Sequence, residues 1–324
     1  MRVLIVKTSS LGDLVHALPA VTDAHAARTQ VRFDWLSEKA FAEIPAWHPA
    51  VERVIPCEMR RWRKNLWLSW RSGEWRRFRN ALRESPYDLV LDAQGLFKSA
   101  FLASQARGPV AGHARENAAA LFYDRSIPVP RNDHAVDRQR DLFAKVLGYE
   151  RPVTAPDFGL ARALFAKPDL AQPYVVFLHA TTWPTKCWPE SYWQQLGRWF
   201  MQQGFSVVLP WGNEAERIVA ERIAADFGGV VLPRMNLTAV AGVLAHAQVV
   251  VGVDTGLAHL AAAVNTPSVT LYGPTLPGLT GTIGRNQKHL CATGAVTVDR
   301  NRPNDILPLR VIKVLGPMLE RKPE

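Results

Sequence analysis

Cysteine is scarce in this 324-residue chain: Cys57, Cys187 and Cys291 lie far apart and form no Cys-x-x-Cys pair. So odd and sparse a set excludes a disulfide framework and a structural zinc site, and it fits a reducing compartment. Long apolar runs are missing as well. No stretch reaches the roughly 18 residues that a membrane-spanning helix needs. The apolar run at the start is shorter than the roughly 7–15 residues of a secretory signal; it reads as a buried first strand, and the expected location is the cytoplasm. Low-complexity tracts and short-period repeats are absent. No Asp-x-Asp pair is present to hold a divalent ion, so neither a metal nor another cofactor is expected.

What the chain has in excess is positive charge. It carries 39 basic against 29 acidic residues, a net +10. Most of that excess lies between Glu58 and Arg83, where nine basic residues stand against only Glu58 and Glu74. The remainder is near neutral, so the partner implied is an anion bound at one place. Trp62, Trp67, Trp70, Trp75 and Phe78 interleave with the arginines. Trp75, Phe78 and Leu82 have helical spacing and read as a buried stripe with solvated arginines opposite. That reading leaves Arg60, Arg61, Arg63 and Lys64, which look like a clamp for a phosphate or carboxylate. A nucleic-acid surface with aromatics stacked on bases, and an anionic membrane surface, compete for the same segment.

Hydrophobic residues make up 48% and charged residues 21%, the profile of a globular chain long enough for two domains. Short apolar runs alternate with helical patterns, the signature of βαβ units and parallel sheets. Strands are expected at Val3–Val6, Val31–Trp35, Val51–Ile55, Leu89–Leu91 and Val110–Gly112, then at Val175–Leu178, Val207–Leu209, Val249–Val253 and Val269–Leu271. A proline-rich stretch over about 150–172 separates the halves, which gives domains 1–160 and 161–324. Open parallel sheets bind ligands at the carboxyl ends of their strands, and polar corners fall there.

The first corner is Lys7-Thr8-Ser9-Ser10-Leu11-Gly12-Asp13, neither a dinucleotide fingerprint nor a Walker loop. Asp13 reads either as the N-cap of the next helix or as a carboxylate that accepts a proton from a substrate hydroxyl. In the second half, Thr181, Thr182 and Lys186 precede a helix and suit phosphate oxygens, or equally read as a capped helix start with a solvated lysine. Val249–Val253 ends in Asp254-Thr255-Gly256, and a helix starts at once with His259 on its first turn. That helix start favours an anion by roughly 0.3–2 kcal/mol; Asp254 could simply cap the helix, but its strand-end position in a parallel sheet favours function, and a lone histidine such as His259 is more often structural. Glu216, after Trp211-Gly212-Asn213, is either a ribose ligand or a solvated first-turn residue, and Tyr272-Gly273-Pro274-Thr275 marks one more strand-end turn.

Together these residues resemble the heptosyltransferase I group of the ADP-heptose glycosyltransferase family nine. The resemblance runs from Val3-Leu4-Ile5-Val6-Lys7-Thr8-Ser9-Ser10-Leu11-Gly12-Asp13 to Tyr272-Gly273-Pro274-Thr275. It is most specific in the Thr-Ser-Ser-x-Gly-Asp opening, in Arg60–Lys64, in Asp92-Ala93-Gln94-Gly95-Leu96, and in Asp254-Thr255-Gly256. It implies an α/β GT-B fold: two Rossmann-like parallel-sheet domains facing a central cleft, an N-terminal acceptor domain, a C-terminal donor domain, and a last helix crossing back onto the N-terminal domain. It implies inverting transfer of L-glycero-D-manno-heptose from ADP-heptose to the first Kdo of Kdo2-lipid A, at the cytoplasmic face of an anionic membrane and without nucleic acid. By that resemblance Asp13 is the general base, and Thr181, Thr182 and Lys186 hold the diphosphate. Glu216 holds the ribose and Met235 lies against adenine, while Asp254, Thr255, Gly256 and His259 contact heptose and phosphates. Ser10, Gly12, Arg60, Arg61, Arg63, Lys64 and Arg115 would bind the acceptor. The loop Trp183-Pro184-Thr185 is more apolar than this pattern leads one to expect. The alternatives are a related transferase with an already heptosylated acceptor and a non-catalytic module for anionic membrane or nucleic acid; the module leaves the second half's polar corners unexplained.

Overall fold

A computed structural model describes residues 1–292 and 305–320, apart from the side chains of Leu66, Leu68 and Trp70. The chain divides into two units, Met1–Gly159 and Leu160–Glu324, within the proline-rich stretch. The first unit contains β1 (Arg2–Val6), β2 (Arg32–Glu38), β3 (Val51–Cys57), β4 (Leu89–Asp92), β5 (Val110–Gly112) and β6 (Arg125–Ser126). They form one parallel sheet in the order β3-β2-β1-β4-β5-β6. The second contains β7 (Tyr174–Leu178), β8 (Ser206–Leu209), β9 (Val230–Val231), β10 (Val249–Val253), β11 (Ser268–Tyr272) and β12 (Gln287–Cys291). Their order, β12-β11-β10-β7-β8-β9, is again fully parallel. Counted from its own first strand, each sheet is wound 3-2-1-4-5-6, the dinucleotide-fold order whose ligand crevice opens where the winding reverses. In the first sheet the reversal lies between β1 and β4, in the second between β7 and β10.

Burial explains which strands the sequence revealed. Val3–Val6 and Val249–Val253 are apolar, apart from Gly252, and buried, as strands covered on both faces must be. The strands absent from the sequence reading are β6 and β9, two residues each, and β12, whose Lys288 and His289 are exposed at a sheet edge. Such edges carry no apolar pattern to detect.

Helix Leu11–Ala27 follows β1 and buries Leu14, Leu18 and Val21 together with most of its remaining surface, because helix Ala135–Leu147 covers it. Between these helices Arg140 grips Asp23: Nε donates to Oδ2 at 2.6 Å and Nη2 to Oδ1 at 3.2 Å. The same guanidinium donates to the carbonyls of Pro152 and Thr154, so one buried ion pair also anchors the chain leaving the first unit. The last helix is Pro308–Leu319. Its buried stripe, Val311 and Leu315, lies in the core of the second unit with Trp193 and Leu196. The i, i+4 spacing gives it an apolar face that helix Glu190–Gln202 complements.

Removing one partner of a buried ion pair leaves the other charge uncompensated. Asp23→Ala is expected to destabilise the protein by about 3–5 kcal/mol in urea unfolding. Replacing Asp23 and Arg140 together by leucine and methionine should cost much less.

Candidate active site

At the reversal of the first sheet, the loops leaving β1 and β4 are tied together. The Thr8 N–H and hydroxyl both donate to Gln94 Oε1, each at 2.8 Å, and Lys7 Nζ donates to the Ala93 carbonyl at 2.8 Å. The loop after β4 is itself fixed by Asp92. One of its oxygens accepts the N–H groups of Gln94 and Gly95, and the other accepts the hydroxyls of Ser99 and Tyr123. Gly95 has a φ of +75°, and a Cβ there would lie 2.1 Å from the His113 carbonyl oxygen, so only glycine fits.

Above this floor opens a cavity of about 220 Å³ lined by Lys7, Asp13, Gln94, His113, Arg115, Arg131, Arg138 and Gln139, among others. The N-cap expectation for Asp13 is corrected here. Ser10 is the N-cap and Asp13 the third helical residue, its Oδ2 accepting the Ser10 N–H at 2.9 Å and the Ser10 hydroxyl at 2.7 Å. Burial alone would push the Asp13 carboxyl up. The Lys7 ammonium, the two Ser10 donors and Arg115 outweigh it and hold the carboxyl below its ordinary value. Opposite stands His113, whose Nδ1 lies 3.1 Å from the Ile127 carbonyl and therefore carries the hydrogen. Burial lowers its pKa, and Arg131, Arg138 and Arg115 push the same way. One carboxylate among four cations, with a neutral imidazole, makes a pocket for an anion that also offers a proton to a base.

The structure brings Asp13, Ser10 and Arg115 together. Gly12 lies buried in the first turn. Arg60, Arg61, Arg63 and Lys64 line no part of this cavity; they sit on helix Met59–Lys64, after β3 at the same carboxyl edge. Helix and cavity share one tether, because the Arg60 N–H donates to Glu38 Oε1 while the Glu38 N–H donates to the Thr8 carbonyl. Arg61 pairs with Glu58 and Glu74 while its side chain stays exposed. Trp62 is buried against Trp75 and Phe78, and its indole N–H donates to Glu74. Arg63 and Lys64 are exposed. Lys7, Arg131 and Arg138 were missed. Lys7 had a signal as the first polar residue after four buried apolar ones, whereas Arg131 and Arg138 look like any solvated arginines flanking a helix.

The second unit repeats the plan at its own reversal. Lys186 Nζ donates to Asp254 Oδ2 at 2.7 Å, as does the Thr275 hydroxyl, and the Thr181 hydroxyl donates to the Asp254 carbonyl at 3.3 Å. Asp254 is therefore no cap: Thr255 is the N-cap of helix Gly256–Ala263, and the carboxylate turns to the lysine. His259 Nε2 lies 3.8 Å from Asp254 Oδ1. Glu216 occupies the third position of helix Glu214–Ala225 and accepts from the Gly212 N–H and the Asn213 amide, each at 2.7 Å. Thr182 is exposed, and Met235 is half-buried in the loop after β9. Each of these residues leaves the carboxyl end of a strand of this sheet.

Two doubly wound units, each with a charged crevice at its switch point, define a glycosyltransferase of the GT-B class. The profile of glycosyltransferase family 9 (heptosyltransferase) matches residues 75–308. Lipopolysaccharide heptosyltransferase 1 of Pseudomonas aeruginosa is 56% identical over 296 residues, 90% of this chain and 83% of that protein. Its counterpart in Escherichia coli K12 is 50% identical over 294 residues, 89% of this chain and 92% of that protein. Among solved structures, E. coli heptosyltransferase WaaC with ADP superposes with a TM-score of 0.92 at 46% identity, covering 98% of this chain and all of that one. The chain belongs to glycosyltransferase family 9, the heptosyltransferases.

The two Ser10 donors make a local test. Ser10→Ala removes the hydroxyl and leaves the backbone bond, so the Asp13 titration midpoint, read by carboxyl carbon NMR, should rise. The reverse shift, or none, would show that the hydroxyl does not hold this carboxylate.

Proposed function

We propose that this enzyme transfers L-glycero-D-manno-heptose from ADP-heptose to the first Kdo of Kdo2-lipid A with inversion. The observation that carries the reading is Asp13, a carboxylate held ionised in a cavity whose other charges are cationic. Such a site receives an anionic sugar acid and deprotonates its hydroxyl. As that oxygen attacks the anomeric carbon, Asp13 takes its proton and ADP departs from the opposite face, so one base suffices for inversion. Arg115, Arg131 and Arg138 are the cations for the acceptor carboxylate, with Arg60, Arg63 and Lys64 further along the same edge.

On the donor side, Lys186, Thr181 and Thr182 would hold the diphosphate, with the Thr255–Gly256 helix start adding its partial positive charge. Glu216 would meet the ribose, Met235 the adenine, and Asp254 and His259 the heptose. The Lys186–Asp254 ion pair means that the lysine is oriented before the donor arrives and must be shared with the diphosphate. No metal is needed in this scheme, because lysine and helix dipole neutralise the leaving group.

Asp13→Ala should leave folding intact and lower turnover by roughly 10²–10⁴-fold. ADP should raise the melting temperature of both proteins and RNA should not. Turnover near that of the native enzyme would reduce Asp13 to a helix-end residue. Transfer to a heptosylated core but not to Kdo2-lipid A would assign the chain to the related acceptor class.

A lipid acceptor calls for a membrane-facing edge, and we propose that the first unit supplies it. Trp62, Trp75, Phe101, Phe122 and Phe97 form a continuous run of ring contacts 5.4–6.2 Å apart. The run ends on Phe97, 50% exposed, beside Leu121, 84% exposed, and Trp67 is 64% exposed among the arginines. Apolar tips within a basic field suit an anionic bilayer, at about 1 kcal/mol per basic residue. No helix among the described residues is long and apolar enough to span one. Phe97→Ser with Leu121→Ser should abolish co-sedimentation with phosphatidylglycerol vesicles while ADP binding persists. Unchanged sedimentation would refute this edge.

A further inference from the structure

We infer that Lys7 is the positioning residue for the Asp13 base, its fixed ammonium holding the carboxylate ionised from across the cavity. The inference rests on the reading of Asp13 as the base and adds a residue to it. Lys7 follows directly on the buried strand β1, and only 4% of it is exposed. Its Nζ is anchored on a neutral acceptor, the Ala93 carbonyl, which Gln139 Nε2 also engages at 3.1 Å. Among the described residues Lys7 forms no ion pair within 4.0 Å, yet it lines the same cavity as Asp13. A lysine clamped onto the carboxylate would quench its basicity and fill the space a hydroxyl must enter. A lysine held across the gap stabilises the charge and leaves that space open.

The other groups facing Asp13 are His16 on its own helix, His113 and Arg115 beyond β5, and Arg131 and Arg138 beside and on helix Ala135–Leu147. His113 is held neutral, and Arg115 is exposed, where water screens its charge. The carboxylate of Asp92, beneath the floor, is saturated by four donors. Lys7 is thus the buried cation best placed to act, and it exerts the largest downward pull on the Asp13 carboxyl. Burial in turn lowers the pKa of Lys7, and Asp13 is the first of the charges opposing that drop.

The test compares pH profiles of kcat/KM with carboxyl carbon NMR of Asp13, assigned by Asp13→Asn, in the full-length protein. For Lys7→Met, the acid limb and the NMR midpoint should move up together. The loss in kcat/KM should be about tenfold or more on the acid limb and much smaller at alkaline pH. Lys7→Gln, which keeps a donor for the Ala93 carbonyl, should show the same shift, and it carries the test if Lys7→Met does not fold. Lys7→Arg should restore the limb. Gln139→Leu loses a bond to the same carbonyl without losing charge and should leave the limb where it is. An unmoved NMR midpoint in the uncharged variants overturns the inference, as does an equal shift in Gln139→Leu. If Asp13→Asn kept native turnover, the base reading would fall, whereas the NMR arm would still report whether Lys7 governs the carboxylate.

Discussion

Everything functional in this chain depends on what closes the gap where each sheet reverses its winding. The two loops that part there leave polar backbone at the centre of an apolar sheet, and each unit spans the opening with a lysine. In the first, Lys7 reaches the Ala93 carbonyl; in the second, Lys186 reaches Asp254. Both lysines stand on the loop after the first strand of their unit, and both reach the loop after the fourth. The difference lies in the acceptor. A neutral carbonyl leaves the charge of Lys7 free to act on the cavity, whereas a carboxylate keeps that of Lys186 paired until another anion comes.

That contrast matches the chemistry of the two halves. A base must stay ionised without being quenched, which calls for a cation nearby that makes no contact with it. A diphosphate site must hold its cation in place when empty, and an ion pair that can be shared does so. On the proposed reading, the same fold order supports a proton-accepting site and a site for a leaving group, distinguished by a few side chains at equivalent corners.

Much of this architecture was legible in the residues, for a physical reason. Strands buried on both faces have to be continuously apolar, so β1, β7 and β10 announce themselves, and a polar residue at their carboxyl ends is conspicuous. Asp254, directly after Val249–Val253, stands out in that way. Helix-cap assignments were less secure, since a carboxylate near a helix start is compatible with several positions. Ser10 and Thr255 took the caps; Asp13 accepts from Ser10 itself, and Asp254 from Lys186 and Thr275. At Arg61 local sequence shows the charge but not its pairing with Glu74, thirteen residues on. Arg131 and Arg138 left no trace, because only the tertiary approach of their helix to the β1 loop gives them a role.

The four hydrogen bonds that saturate Asp92 separate the frame of the first pocket from its rim. Its floor is already satisfied, and the segments that carry Arg115 and Arg138 are bonded to it, the Arg115 N–H donating to the Gly95 carbonyl and Gln139 to the Ala93 carbonyl, while the guanidinium groups themselves line the cavity. Changes at these arginines alter the pocket's charge, and at Arg115 the pull on Asp13, without unmaking the frame.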